Sequence, residues 1–202
     1  MPLDELIIRP WAGVLLWIVL YVSDYYCTIA AARMYYGGVN RHFEFEKGYE
    51  LTPYFQEDIA QLRRFSWRFA WQLFLSSVFI VCLWYLSVNQ YHASGLYEGV
   101  LGARVLEEVA VHVRHLHNLI FFWHVKQSIG ITGVVKTTHW LTLRVSAFEL
   151  LVFGLLWLLV FVVTARWFFF GGAIMCGLTA AQHWDLAKKE PTPASVVEHN
   201  PE

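Results

Sequence analysis

The sequence predicts an all-α fold, an integral membrane helical bundle of about five transmembrane helices. Of its 202 residues, 57% are hydrophobic and 15% are charged, whereas soluble domains carry about 25% charged residues. The mean hydropathy is +0.42. Trp, Tyr and Phe make up 17% of the chain, which is typical of proteins with rings at a lipid–water boundary. We therefore expect the lipid bilayer to surround this protein.

Charge and cysteine content exclude other classes of protein. The net charge of −1 gives no electrostatic reason to expect a nucleic-acid partner. Cys27, Cys82 and Cys176 lie far apart in apolar runs. They form neither a CxxC metal-binding pattern nor an even-numbered disulfide framework.

Five apolar runs are long enough to cross a membrane, since about 20 helical residues span its hydrocarbon core. The third run is the exception in composition, because it carries many ionisable side chains. Such a helix either lines a wet cavity inside the bundle or lies flat in the interface, which would leave four spans. The predicted spans are residues 11–36, 69–88, 99–125, 143–163 and 167–182.

The distribution of Lys and Arg favours five spans over four. The connection between the first two runs is rich in basic residues, the connection at 89–98 has none, and the connection at 126–142 has an intermediate number. By the positive-inside rule, this alternation predicts a multi-pass protein of the cytoplasmic membrane, with the N-terminus outside and the C-terminus in the cytoplasm. We expect one domain over 1–187, with a structured cytoplasmic loop at 37–66, and a disordered cytoplasmic tail over 188–202.

Asp24 is the first candidate for a functional site. A carboxylate inside a spanning helix costs about 3 kcal/mol on insertion scales, so it normally points at a partner or at water. Tyr21 and Thr28 lie on the same helical face. This polar seam is either a hydrogen-bond node that fixes helix packing or a site for an ion, a proton or a substrate.

A second polar stripe runs along the third predicted span. Arg104, Glu108, His112 and His115 recur at helical spacing. Glu108, His112 and His115 could bind one divalent metal ion, since a carboxylate and two imidazoles suit such an ion. Two other interpretations stay open, a proton-sharing network and structural pairing of Arg, Glu and His. No other cofactor is predicted.

Two further features lie on the last two spans. Glu149 is a second intramembrane acid, for which we expect an ion pair with Arg104 or Arg114. Ala173, Gly177 and Ala181 repeat every four residues. This spacing of small residues allows close helix approach, so it predicts contact with a second copy or with another membrane protein.

The sequence resembles an uncharacterised family of small polytopic prokaryotic membrane proteins. The resemblance rests on Asp24-x-x-x-Thr28 in the first span, then Gly37-Gly38, then Glu50-Leu-Thr-Pro53. The family has an intramembrane D-x-x-x-T and a following E-x-N-P, so Thr52 departs from its pattern. The resemblance implies no activity, but it adds Glu50 and Pro53 to Asp24 and Thr28 as candidate site residues.

Three functions are compatible with these patterns. The first is binding or passage of a proton, an ion or a small polar solute along the Asp/Glu/His seam. The second is a scaffold or accessory role for another membrane protein. The third is metal-assisted hydrolysis inside the membrane, at His112, His115 and Glu108. No nucleophile elbow or metalloprotease motif is present, so an enzyme is the less favoured of these hypotheses.

Overall fold

The computed structural model describes residues 5, 9–47, 54–127 and 133–190. Most of these residues are helical, in agreement with the predicted helical bundle. The α-helices in the described ranges are α1 (Pro10–Tyr36), α2 (Gln56–Ala60), α3 (Trp67–Trp84), α4 (Ser94–Lys126), α5 (His139–Thr164) and α6 (Trp167–Lys189).

Three of these helices are long and apolar enough to cross a membrane. They are α1, α3 together with the π-helical turn Tyr85–Gln90 that continues it, and α5. The fourth long helix, α4, begins five residues before its predicted start and has 33 residues, so it is about 50 Å long. The sixth, α6, continues to Lys189. Lys188 and Lys189, which we assigned to a disordered tail, are therefore helical.

Local signals set the helix ends. Ser66 and Thr138 cap α3 and α5, since their hydroxyl oxygens accept hydrogen bonds from the N–H groups of Phe69 and Leu141. The tight turn between α5 and α6 places Ala165 in the left-handed conformation, with φ of 53°. A non-glycine residue pays roughly 1 kcal/mol for this conformation.

The five long helices alternate in direction. Trp17 donates a hydrogen bond to Ser76 and Tyr25 to the carbonyl of Arg63, so α3 runs antiparallel to α1. Tyr97 lies beside Gly13 and His115 beside Thr28, so α4 runs parallel to α1.

The last two helices continue this alternation. Ring contacts join Phe161 to Trp167 near the α5–α6 turn, and Ser146 bonds to His183 at the far end of the pair. Helices α5 and α6 are therefore antiparallel. Gly102 lies beside Phe168, and Glu107 bonds to Thr179, so α6 runs parallel to α4. Consequently α1, α4 and α6 point one way, and α3 and α5 point the other.

A short parallel sheet, which the sequence did not predict, accompanies the helices. Strand β1 (Phe43–Phe45) follows α1, strand β2 (Val135–Thr137) precedes α5, and Phe43 pairs with Val135. The two strands hold the connection after α1 and the connection before α5 at one end of the bundle, which we name the strand end. A four-span arrangement would instead place residues 126–142 beside the 89–98 connection, at the opposite end.

The C-terminal end of α6 lies at the strand end too. Lys47 Nζ is 2.7 Å from Glu190 Oε1, and the backbone N–H of His139 donates to Glu46. The structure therefore gathers the two basic connections and the helical C-terminal residues at one end.

Glycine residues let α4 and α6 touch through their backbones. A Cβ at Gly102 would lie 1.9 Å from the Phe168 carbonyl oxygen, and a Cβ at Gly171 would lie 1.7 Å from that of Gly99. Side chains of any size would force the two helices apart. This seam brings the polar face of α4 against α6 along most of its length.

Small residues also face one another between α5 and α6. A Cβ at Gly154 would lie 3.3 Å from the Ala173 carbonyl oxygen and 3.6 Å from the Gly177 nitrogen. Part of the stripe that we predicted to contact a partner, Ala173 and Gly177, is therefore used for packing within the chain. Ala181 is exposed.

We predict that Gly171→Ala destabilises the bundle, because its methyl group would clash with the backbone of α4. The expected loss in free energy of unfolding is about 1–3 kcal/mol, the usual effect of overpacking. Gly177→Ala is the matched control, since a Cβ there has no neighbour within 4 Å and both changes gain the same helix propensity. Equal stability of the two variants, measured by denaturant titration in mixed micelles, would contradict the proposed seam.

Candidate functional site

A cavity of about 680 Å³ lies between α1, α3, α4 and α6, and it contains most of the predicted polar residues. Helix α1 contributes Trp17, Tyr21, Asp24, Tyr25 and Thr28 to the lining. Helix α4 contributes Arg104, Glu107, Glu108, Val111, Arg114 and His115. The volume is within the range of small-molecule sites, about 300–1,000 Å³.

Asp24 and His115 join α1 to α4 at this cavity. His115 Nε2 is 2.8 Å from Asp24 Oδ1 and 3.2 Å from the hydroxyl oxygen of Thr28. The Thr28 hydroxyl donates to the carbonyl of Asp24, one helical turn before it. His115 is only 7% exposed. The predicted Asp24–Thr28 pair therefore meets the predicted histidine stripe.

His112 is held one turn earlier on α4. Its Nδ1 is 2.7 Å from the Glu108 carbonyl oxygen, and its Nε2 is 2.7 Å from the Ser23 hydroxyl oxygen. Because a carbonyl only accepts, Nδ1 carries a proton in this arrangement. In the neutral ring, Nε2 then accepts the Ser23 hydroxyl proton.

The Ser23 hydroxyl has a second acceptor within reach, since it lies 2.9 Å from the Leu20 carbonyl oxygen. If its single proton goes to Leu20, Nε2 of His112 must carry a proton of its own, and the ring is an imidazolium. The same heavy-atom positions thus accommodate both protonation states of His112. This arrangement suits the proton-sharing interpretation of the stripe.

Asp24, Glu108 and His112 bring three potential ligand atoms within 4.8 Å of one another. A carboxylate pair with one imidazole is a suitable donor set for a divalent ion. The set differs from the predicted one, His112, His115 and Glu108, because Nε2 of His115 contacts Asp24 instead.

Several buried polar atoms around the cavity have no hydrogen-bond partner. Within the described residues, they include Tyr21 Oη, Asp24 Oδ1, Glu108 Oε2 and His115 Nδ1, all on side chains that line the cavity. The approach of His115 to Asp24 is close but lacks hydrogen-bond geometry. A buried polar group left without a partner costs roughly 1–3 kcal/mol, so this cluster favours an occupant that donates hydrogen bonds or carries positive charge.

A second polar group joins α4 to α5 and α6, and its members Glu107, Arg114, Thr179 and His183 line the cavity. Ser146 bonds both to Arg114 Nη1, at 2.5 Å, and to His183 Nδ1, at 2.9 Å. The Thr179 hydroxyl donates to Glu107 Oε1 at 2.6 Å. The Thr179 bond gives Glu107 a partner, so Glu107 differs from Glu108, whose Oε2 has none.

Arg104 also faces the cavity, at the end away from the strands. Its guanidinium lies 5.9 Å from the centre of the Trp17 ring, within cation–π distance. The predicted stripe on α4 is therefore divided: Arg104, Glu108 and His115 line the cavity, and His112 reaches Glu108 and Asp24 from beside it.

Glu149 lies apart from this group. It is half-buried on α5 and does not belong to the cavity lining. The expected ion pair with Arg104 or Arg114 is not formed, since Arg114 bonds to Ser146 and Arg104 lies against Trp17. Glu50 and Pro53 lie outside the described residues, so the structure does not place them.

The sequence analysis missed His183, Thr179 and Ser23. Thr179 and His183 are one helical turn apart on α6, and this spacing of polar residues in an apolar segment was a usable signal. Ser23 gave none, because serine is common in spanning helices and its partner lies 89 residues away.

Comparison with known proteins adds no relative. No family model matches the chain, and no match is found among curated proteins or solved structures. The site is therefore interpreted from its geometry alone.

We predict strong energetic coupling between Asp24 and His115. In a double-mutant cycle with Asp24→Asn and His115→Gln, the free energies of unfolding should deviate from additivity by about 0.5–3 kcal/mol, as for residues in direct contact. Denaturant titration in mixed micelles measures this.

The control cycle pairs Asp24→Asn with Glu149→Gln, which share no partner. Its two effects should add to within about 0.5 kcal/mol. Additivity of the Asp24 and His115 changes would show that the contact between them does not form.

Proposed function

We propose that this protein is a multi-pass membrane protein that binds a cation, or a small solute with a cationic group, at a carboxylate–imidazole site within the membrane. Protons compete for the same site. The single observation that carries this proposal is the cluster of unpartnered buried atoms on Tyr21, Asp24, Glu108 and His115.

The alternating helix directions support five membrane crossings. If α1, α3 and α5 cross, α4 and α6 must cross as well. Helix α4 connects the end of α3, which lies opposite the strand end, to the start of α5 at the strand end. Helix α6 returns the chain from the end of α5 to the strand end. The two connections richest in Lys and Arg then lie at the strand end, which we assign to the cytoplasm by the positive-inside rule. The N-terminus is then outside.

A cation fits this site better than an anion does. Asp24 and Glu108 supply carboxylate oxygens without full hydrogen bonding, and the Tyr21 oxygen can also accept. The nearby cations Arg104 and Arg114 contact Trp17 and Ser146. An incoming positive group therefore gains carboxylate acceptors whose hydrogen bonding within the protein is incomplete.

His112 and His115 give the site its link to protons. His112 can hold one or two protons between Ser23 and the Glu108 carbonyl. His115 shares Asp24 with any bound cation. Binding of a cation at Asp24 and Glu108 would thus displace protons, and protonation would release the cation.

Metal-assisted hydrolysis is the second candidate, because Asp24, Glu108 and His112 place three donor atoms within 4.8 Å. Catalytic zinc sites use three protein ligands and leave one position for water. A divalent ion there would supply a bound hydroxide as nucleophile. The scaffold role stays a prediction without a specific structural argument, since Ala173 and Gly177 pack against Gly154.

We predict that the protein in nanodiscs binds guanidinium ions at pH 8 and binds them more weakly at pH 5, where protons compete. Asp24→Asn and Glu108→Gln should each weaken binding by about tenfold or more, equivalent to at least about 1.4 kcal/mol. Isothermal titration measures affinity, and a pH indicator dye measures the accompanying proton release.

Glu149→Gln is the matched control, because it neutralises a carboxylate on a spanning helix outside the cavity lining. It should bind like the wild type. Unchanged guanidinium affinity in both Asp24→Asn and Glu108→Gln would refute the proposal. Stoichiometric zinc in the purified protein, lost in His112→Gln, would favour the hydrolase instead.

A further inference from the structure

One wall of the cavity reaches the outer surface of the bundle. Trp71, Leu75 and Phe79 line the cavity from α3 and are 60%, 48% and 51% exposed. Their spacing of four residues puts them on one face of the helix. Few residues of α3 are buried, and Phe69 near its start stacks on Tyr21 and Tyr25 of α1.

The strand end of the cavity is covered by the segment 54–66. Tyr54, Phe55 and Ile59 of this segment belong to the lining. Asp58 fastens the segment, since it is 2% exposed, accepts a hydrogen bond from Ser66 and pairs with Arg63 at 2.9 Å. The side that reaches the outer surface is therefore the α3 face, which in our assignment faces lipid.

The cavity combines two kinds of surface. Its interior offers the acceptors of Asp24 and Glu108. Its α3 wall presents the apolar side chains of Trp71, Leu75 and Phe79 beside the polar Gln72 and Ser76. We propose that the ligand is an amphiphile, a long-chain amine or a lipid with a cationic head group, which enters sideways from the membrane. The head group binds at Asp24 and Glu108, and the chain lies along Trp71, Leu75 and Phe79. This inference rests on the proposed function and names its ligand class.

The hydrocarbon chain of the ligand determines its route of entry more than its affinity. A hydrocarbon chain leaves an environment as apolar as the cavity wall when it moves from lipid to protein, so its burial adds little to binding. It does concentrate the amine in the membrane, next to the opening. Selectivity then comes from the charged head, because an alcohol with the same chain offers no cation to the carboxylates.

The test is photo-crosslinking in proteoliposomes with a dodecylammonium probe that carries a diazirine near the end of its chain. Peptide mass spectrometry locates the products. We expect labels on residues 71–79 that a large excess of dodecylammonium reduces by about tenfold, because the two amines compete for one site by mass action. Dodecanol, with the same chain and no charge, should leave these labels unchanged.

Two comparisons complete the experiment. Labels on the exposed face of α5, for example at Val152 and Leu159, should not respond to either competitor, because that face meets bulk lipid. Asp24→Asn combined with Glu108→Gln should abolish the competition at residues 71–79, and Glu149→Gln should retain it. The competition arms use the wild type, so they remain decisive if the double variant fails to fold.

The outcomes separate this inference from the proposed function. Equal competition by dodecanol and dodecylammonium would overturn the amphiphile, since the labels would then report only lipid contact. Competition by ethylammonium at the same aqueous concentration as dodecylammonium would also overturn it, in favour of a small water-borne cation, and would leave the proposed function intact. If the amines do not compete and guanidinium does not bind, the amphiphile inference and the proposed function are both refuted.

Discussion

The contact between Asp24 on α1 and His115 on α4 is the interaction on which the arrangement of this protein depends. A carboxylate inside an apolar helix needs a partner, and a histidine-rich helix needs a polar neighbour. The contact gives each helix a polar neighbour, and Ser23 with His112 forms a second contact one turn earlier on α4. Without these contacts, the side of α4 that faces α1 would hold two imidazoles without a polar neighbour on that helix.

The same constraint explains why the other side of α4 is built differently. Towards α6, glycine residues bring the two backbones together at Gly102 and Gly171. Hydrogen bonds pair Glu107 with Thr179 of α6 and Arg114 with Ser146 of α5. That interface satisfies its polar groups. The cavity side leaves Glu108 and Tyr21 without full hydrogen bonding. We therefore assign a structural role to the face of α4 whose polar groups are hydrogen-bonded. We assign the candidate functional role to the face whose polar groups lack hydrogen-bond partners.

The sequence predicts the parts of this arrangement that follow from one helix at a time. The stripes Tyr21–Asp24–Thr28 and Arg104–Glu108–His112–His115 arise from helical spacing, and the cost of intramembrane charge predicts that they face inward. Parts that depend on which helices are neighbours could not be predicted. Glu149 also sits on an apolar helix but does not line the cavity, because the rotation of α5 depends on its packing against other helices and not on its own sequence pattern. The β1–β2 pair joins segments about 90 residues apart, with three residues in each strand, too short for a sequence signal.

Infrared difference spectroscopy tests the central claim most directly, because it detects the carboxyl groups themselves. Addition of guanidinium to the protein in nanodiscs should change the carboxyl and carboxylate bands. The account predicts that this change is lost in Asp24→Asn and in Glu108→Gln and is retained in Glu149→Gln. A difference spectrum that is the same in all four proteins, or that disappears only in Glu149→Gln, would show that Asp24 and Glu108 do not form a shared cation site.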